Sequence, residues 1–138
     1  MPRVDLTFDC TDAQRLAAFW RLALGYEDEP PPAPYATRED WLAHYDVPPE
    51  EWNDSAYLRD PAGVGPRLSI LKVPEPKVAK NRLHMDVRVS GAGTPEQRWT
   101  EVTAAARRLT EAGGRVLAVD GTHHIVMADP EGNEFCLT

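Results

Sequence analysis

The chain has 138 residues, of which 42% are hydrophobic and 27% charged, and its formal net charge is −7. This length suits one domain with a real core. The acidic balance argues against a nucleic-acid partner, which needs clustered Lys and Arg. No stretch approaches eighteen apolar residues and Met1-Pro2-Arg3-Val4-Asp5 lacks an apolar signal region, so we expect a cytoplasmic protein with no membrane partner.

Val4, Leu6, Phe8 and Cys10 alternate with Arg3, Asp5, Thr7 and Asp9, the period-two pattern of a strand with one apolar face. A helix follows. Thr11 and Gln14 have capping-box spacing, Leu16, Phe19, Trp20, Ala23 and Leu24 repeat at helical spacing, and Gly25 stops it. Next comes an insert, at 27–53, opening on Glu27-Asp28-Glu29-Pro30-Pro31-Pro32. Prolines reject helix interiors and sheet centres, so its start reads as loop. Within the insert, Arg38–Tyr45 has the pattern of a short helix, with Trp41 and Tyr45 four apart and Trp52 closing the segment. Three large aromatics there pack on the domain's own surface, cover a cleft, or form a dimer contact.

Asp60-Pro61-Ala62-Gly63 then makes a reverse turn, followed by the apolar run Leu68-Ser69-Ile70-Leu71. From here the chain repeats itself. Leu83, Met85, Val87 and Val89 alternate with Arg82, His84, Asp86 and Arg88. Thr94-Pro95-Glu96-Gln97 starts a helix with a Thr cap, Pro at the first position and Gln three after the cap. Trp99, Val102, Ala106 and Leu109 form its buried stripe, and Gly113-Gly114 ends it. Strands follow at Arg115–Val119, His123–Ala128 and Asn133–Leu137, the last after a second turn, Asp129-Pro130-Glu131-Gly132. A long period present twice signals two copies of one supersecondary unit, each strand, helix, strand, strand, strand.

Several residue types invite a chemical reading. Cys10 and Cys136 are far apart with no CxxC spacing, which suits two small buried thiols in a reducing compartment. Adjacent His123 and His124 point to opposite strand faces and do not easily share an ion. His44 lies in the insert and reads as a surface residue. Gly91-Ala92-Gly93 is too short for a dinucleotide loop, and no nucleophile elbow or Ser-His-Asp ordering is present.

Cys10-Thr11-Asp12 with Ala18-Phe19-Trp20 and Ala23-Leu24-Gly25 resembles the first helix of glyoxalase-like domains, the glyoxalase-like branch of the vicinal-oxygen-chelate superfamily. Val73–Lys77 with Lys80–Asp86 is similar to their mid-chain junction, and Met127–Leu137 to their C-terminal end. The resemblance implies an α+β fold of two tandem βαβββ modules forming a half-open barrel, with a cavity on the concave sheet faces. It implies a single domain over 1–138, with module one at about 1–74 and module two at about 81–138. The superfamily includes metal-dependent lyases, isomerases, epimerases and extradiol dioxygenases, and also drug-sequestering proteins that perform no reaction. In metal-using members the ligands come from the first and last strand of each module. Carried over, those positions fall on Asp5, on Ser69 or Leu71, on His84 and on Cys136.

On alternation alone, Asp5, Thr7 and Asp9 share one face, His84, Asp86 and Arg88 another, and Glu134 and Cys136 a third. Together with Ser69, which the resemblance implies, and Trp41 of the insert, the candidate ligand-binding residues are Asp5, Thr7, His84, Asp86 and Cys136. Asp5 and His84 are good metal donors, Ser69 is a poor one, Leu71 is none, and Cys136 suits zinc. The expectation is a homodimeric protein that binds a small, partly aromatic molecule without a cofactor and without reaction. The alternative is a metal-dependent lyase or dioxygenase with Asp5, His84 and Cys136 around a divalent ion, or a metal-free variant with His84 as general base.

Overall fold

The computed structural model describes residues 1–138. Two compact units divide the chain: Met1–Arg21 with Gly25–Pro76, and Lys77–Thr138 with Leu22–Leu24. The first half contains β1 (Leu6–Cys10), α1 (Ala13–Leu24), β2 (Glu27–Asp28), α2 (Arg38–His44), a 3₁₀ turn at Pro49–Glu51, β3 (Ser55–Arg59) and β4 (Leu68–Lys72). The second contains β5 (Met85–Val87), α3 (Pro95–Glu111), β6 (Arg115–Asp120), β7 (His124–Ala128) and β8 (Glu134–Leu137). The sheets run β1-β4-β3-β2 and β5-β8-β7-β6. In both, the first strand pairs in parallel with the last and every other pair is antiparallel. The fold is α+β, built from two βαβββ modules of identical topology. Each sheet stays open, and no closed barrel forms.

Alternation puts the apolar side of each sheet into the core. Leu58, Leu68 and Ile70 are fully buried in the first sheet, and Met127, Phe135 and Leu137 in the second. Phe8 stacks on Trp20 of α1 at 5.2 Å between ring centroids, and Phe19 meets Trp20 edge-on at 5.6 Å. Helix α3 packs on β6, β7 and β8 through the stripe containing Val102, Ala106 and Leu109. Each buried Val, Leu, Ile, Phe or Met side chain among these contributes about 1.5–3 kcal/mol by leaving water.

The helix signals hold with one shift. Thr94 and Gln97 form the full capping box of α3. In α1 the cap is Asp12, not Thr11: its carboxylate accepts from the Arg15 amide at 3.0 Å. Gln14 is therefore one place too early for a capping box, and its amide instead donates to the Ser55 carbonyl at 3.0 Å. Gly25 ends the helix in the left-handed region, at φ 68°.

Several boundaries differ from the sequence reading. Both first strands are shorter than their alternation, so Asp5 and His84 each sit one residue before the pairing begins. Val4 and Leu83 are consequently exposed. The start of the insert is not loop: Glu27 and Asp28 pair with Arg59 and Leu58 and supply the missing edge strand. An edge strand needs only alternate backbone groups satisfied, and the prolines begin just past it. Glu27 also forms an ion pair with Arg59 at 2.7 Å.

The two Asp-Pro-x-Gly turns are structural and share their backbone bonding. Gly63 donates to the Asp60 carbonyl and Gly132 to the Asp129 carbonyl, each at 2.9 Å. The Asp60 carboxylate gathers the amides of Ala62, Val64 and Gly65. Hydrogen bonds from Gly65, then Ala62 and Val64, hold its pKa below the usual carboxylate value. Gly65 is required for a steric reason as well, because a methyl there would overlap the Tyr26 hydroxyl. Gly65→Ala should destabilise by about 1–3 kcal/mol. In a Tyr26→Phe background most of that cost should disappear, read as a double-mutant cycle in urea denaturation. Equal cost in both backgrounds would show that the clash lies elsewhere.

Candidate functional site

Parallel pairing of first and last strands brings the sequence-derived candidates together two by two. Thr7 stands opposite Ser69, and Asp86 opposite Cys136. Asp5 and His84 precede their strands by one residue, so the positions correspond: Asp5 to His84, Thr7 to Asp86, Ser69 to Cys136. By this register Ser69 is the counterpart of Cys136, and Leu71 lies opposite Asp9. Cross-strand partners share a sheet face, so each row lies on the polar side, away from the core.

In the first unit the polar face is organised by Arg67, two residues before Ser69. Its guanidinium reaches both carboxylate oxygens of Glu29, at 2.5 and 3.0 Å, and donates to the Ser69 hydroxyl at 2.9 Å. It lies 4.6 Å from the ring centroid of Tyr57, which itself stands opposite Ser69. This bidentate, stacked geometry is particular to arginine. The hydrogen bond to Glu29, then the charges of Glu29 and Asp5, raise the Arg67 pKa. Thus Asp5, Thr7 and Ser69 border a fixed cation whose charge is matched locally.

The second unit carries different chemistry at the corresponding positions. One ligand atom each from His84, Asp86 and Cys136 all lie within 4.8 Å of one another. His84 and Asp86 are exposed and Cys136 is only 9% exposed. Burial pushes the Cys136 thiol pKa up, and the Asp86 charge and hydrogen bond push it further. Glu134, two residues before Cys136, pairs with Lys80. That hydrogen bond chiefly, with the charges of Lys80, Lys77 and His84, lowers the Glu134 pKa.

Trp41 is on α2, half-buried, with its ring edge-on to Tyr45 at 6.4 Å. The insert is tied to β3 by Arg38, which donates to the carbonyls of Trp52 and Ser55 at 2.6 and 2.7 Å. The Trp52 indole bonds back to the Val47 carbonyl at 2.9 Å. These ties fit the reading in which the insert packs on its own unit. Of the two adjacent histidines, His124 begins β7 and lies 3.7 Å from Asp120, while His123 stands exposed in the preceding turn. Sequence reasoning passed over Arg67, Glu29 and Tyr57. Arg67 was within reach of the period-two rule, since it shares a face with Ser69.

The glyoxalase-like domain family matches residues 5–138. The chain belongs to that family. Solved structures of the glyoxalase/bleomycin resistance/dioxygenase superfamily share its fold. The fosfomycin resistance protein FosX from Mesorhizobium loti is 12% identical with a TM-score of 0.65, covering 99% of this chain and 89% of that one. A family enzyme from Burkholderia phytofirmans is 14% identical with a TM-score of 0.63, covering 99% and 97%. A point mutant of FosX from Listeria monocytogenes, complexed with Mn(II) and 1S,2S-dihydroxypropylphosphonic acid, is 12% identical with a TM-score of 0.60, covering 96% and 85%. No curated protein matches the chain in sequence.

In this glyoxalase-like chain the donor set of the second unit fits a borderline ion. Thiolate, imidazole and carboxylate together suit zinc better than magnesium or calcium. Tetrahedral zinc spaces its ligand atoms about 3.3–3.8 Å apart, so the three would have to draw in by about an ångström. Without an ion, burial first and Asp86 second favour the protonated thiol. Asp86→Asn removes the raising charge, so the Cys136 pKa should fall and more thiolate should be present at a given pH. Iodoacetamide alkylation of Cys136 at about pH 8, near the reference thiol pKa, should speed up several-fold when resolved from Cys10 by mass spectrometry. An unchanged rate would mean that Asp86 does not govern the thiol.

Proposed function

We propose that this glyoxalase-like protein binds a small molecule on the polar sheet faces described above and performs no reaction on it. What supports this reading is the side-chain chemistry of the first unit. At the positions where His84, Asp86 and Cys136 stand in the second unit, the first offers one carboxylate and two hydroxyls, Asp5, Thr7 and Ser69. Hydroxyls are good hydrogen-bond partners for a polar ligand and poor ligands for a divalent ion. The fixed Arg67–Glu29 pair over Tyr57 adds further preformed polar groups.

One observation favours a second reading, a metal-dependent enzyme of the lyase or dioxygenase kind: the gathering of His84, Asp86 and Cys136. They would hold the ion, which would supply Lewis-acid polarisation of a substrate oxygen. Glu134 would add negative charge nearby, and His84 is placed to take or hold a proton when no ion occupies it. The Mn(II) bound by the Listeria FosX makes manganese, with zinc, the ions to try.

Homodimerisation is the remaining part of the reading. β6 is an edge strand exposed along its whole length, with Val116, Leu117 and Val119 each at least 43% exposed. Apolar edges of this kind are covered in stable proteins.

Elemental analysis of untagged protein separates the two readings. Binding without reaction predicts no stoichiometric metal, and no rise in melting temperature with zinc or manganese beyond that of a His84→Ala variant. One metal per chain, lost in His84→Ala and Cys136→Ser, would replace the first reading with the second. A thermal-shift panel of polar aromatic compounds should give saturable stabilisation by at least one, by mass action on the native state. A uniformly silent panel would count against binding.

A further inference from the structure

A second cavity lies at one end of the second sheet, apart from the His84–Asp86–Cys136 group except for the shared Asp86. The carboxyl ends of β5 and β8, the turn before β7, the Ser90–Gly91 loop and the first turns of α3 enclose a volume of about 560 Å³. That is within the usual size of small-molecule pockets. Arg88, Arg98, His123 and Trp99 line it. Its only carboxylate side chain is that of Asp86, which is engaged with the Cys136 thiol.

Arg88 and Arg98 are set apart from the chain's other unpaired basic residues by lining the same cavity. Five of the chain's ion pairs tie up Arg21, Arg59, Arg67, Lys72 and Lys80. The side chains of Arg88 and Arg98 make no ion pair and no hydrogen bond. A protein with net charge −7 thus places two unpaired guanidiniums and an imidazole around one hollow. The larger groove in the first unit lacks this property. Its Arg59 and Arg67 are committed to Glu27 and Glu29, and Asp5 and Asp60 stand among its walls. The start of α3 adds little attraction, because Thr94 already takes the Gln97 amide.

We propose that this end-of-sheet pocket is a binding site for a small organic oxyanion. Arg88 and Arg98 hold the anionic head, and Trp99, half-buried beside Val102, carries the apolar body. Guanidinium suits carboxylate and phosphate equally, through paired N–H donors. The aromatic floor favours an organic anion over an inorganic one.

Benzoate and inorganic phosphate are the probes, titrated at constant ionic strength against the intact protein with melting temperature and calorimetry as readouts. Benzoate should bind saturably and more tightly than phosphate. Arg88→Gln and Arg98→Gln should each weaken it about tenfold, the loss of one charge-assisted contact. Both side chains are exposed and unbonded, so the ligand-free melting temperature should not move. His84→Ala should leave benzoate affinity unchanged, which keeps this site distinct from the function proposed above. No saturable binding of either anion would overturn the proposal. So would binding that survives both arginine substitutions, or binding that is lost in His84→Ala.

Discussion

In each unit the first strand runs parallel to the last, and the hydrogen-bonded register of that one pair places the chemistry. Parallel neighbours cannot be joined by a tight turn, so the chain leaves through a helix and returns through two antiparallel strands. The helix has to cover one sheet face. The other face is left for polar groups, and alternation decides which residues those are. Thr7 beside Ser69 and Asp86 beside Cys136 follow directly. A one-residue slip of β8 would turn Cys136 into the core and bring Leu137 to the polar side.

Core packing makes such a slip costly. Phe135 and Leu137 are buried to within 1% on one face of β8, while Glu134 projects on the other. Moving two large apolar side chains into water would forfeit several kcal/mol. The same force sets β4, where Leu68 and Ile70 are fully buried and Arg67 and Ser69 face outward. The Asp60 and Asp129 turns then pin the strand ends. Asp129 is itself 4% exposed, its carboxylate bonded to the amides of Glu131 and Asn133 and to the Asn133 side chain. A buried carboxylate with this many donors is held by the fold, and it offers little to a ligand.

Much of this was legible because the signals were local. The capping box at Thr94, the left-handed Gly25 and the repeated Asp-Pro-x-Gly turn depend on neighbours a few residues away. Reading the period-two runs also found Thr7, Asp86 and Cys136 on polar faces, while Ser69 came from the family resemblance. Non-local pairing was harder. Glu27-Asp28 has no strand propensity and becomes β2 only because β3 offers it a free edge. Asp12 displaced Thr11 as the cap because the helix starts one residue later than the spacing suggested. Arg67 looked like an ordinary surface cation, and its importance depends on Glu29, thirty-eight residues away in sequence. For the same reason, the sequence-based donor set named Asp5, whereas the clustered donors include Asp86.

The duplicated backbone with divergent side chains explains why fold leaves activity open in this family. Corresponding positions hold hydroxyls in one module and a carboxylate and thiol in the other. That substitution changes the electrostatics more than the shape. Beside Ser69, Arg67 is a cation already matched by Glu29. Beside Cys136, the Asp86 carboxylate accepts a hydrogen bond from the thiol. A carboxylate that raises a thiol pKa is stabilised by any cation that enters, and a divalent ion reverses the effect by favouring the thiolate. The same three side chains therefore hold the Cys136 thiol pKa high when alone and offer a ligand set to an ion. The balance between these states is set by the cost of deprotonating Cys136, which burial and then Asp86 increase and which a metal's own charge offsets.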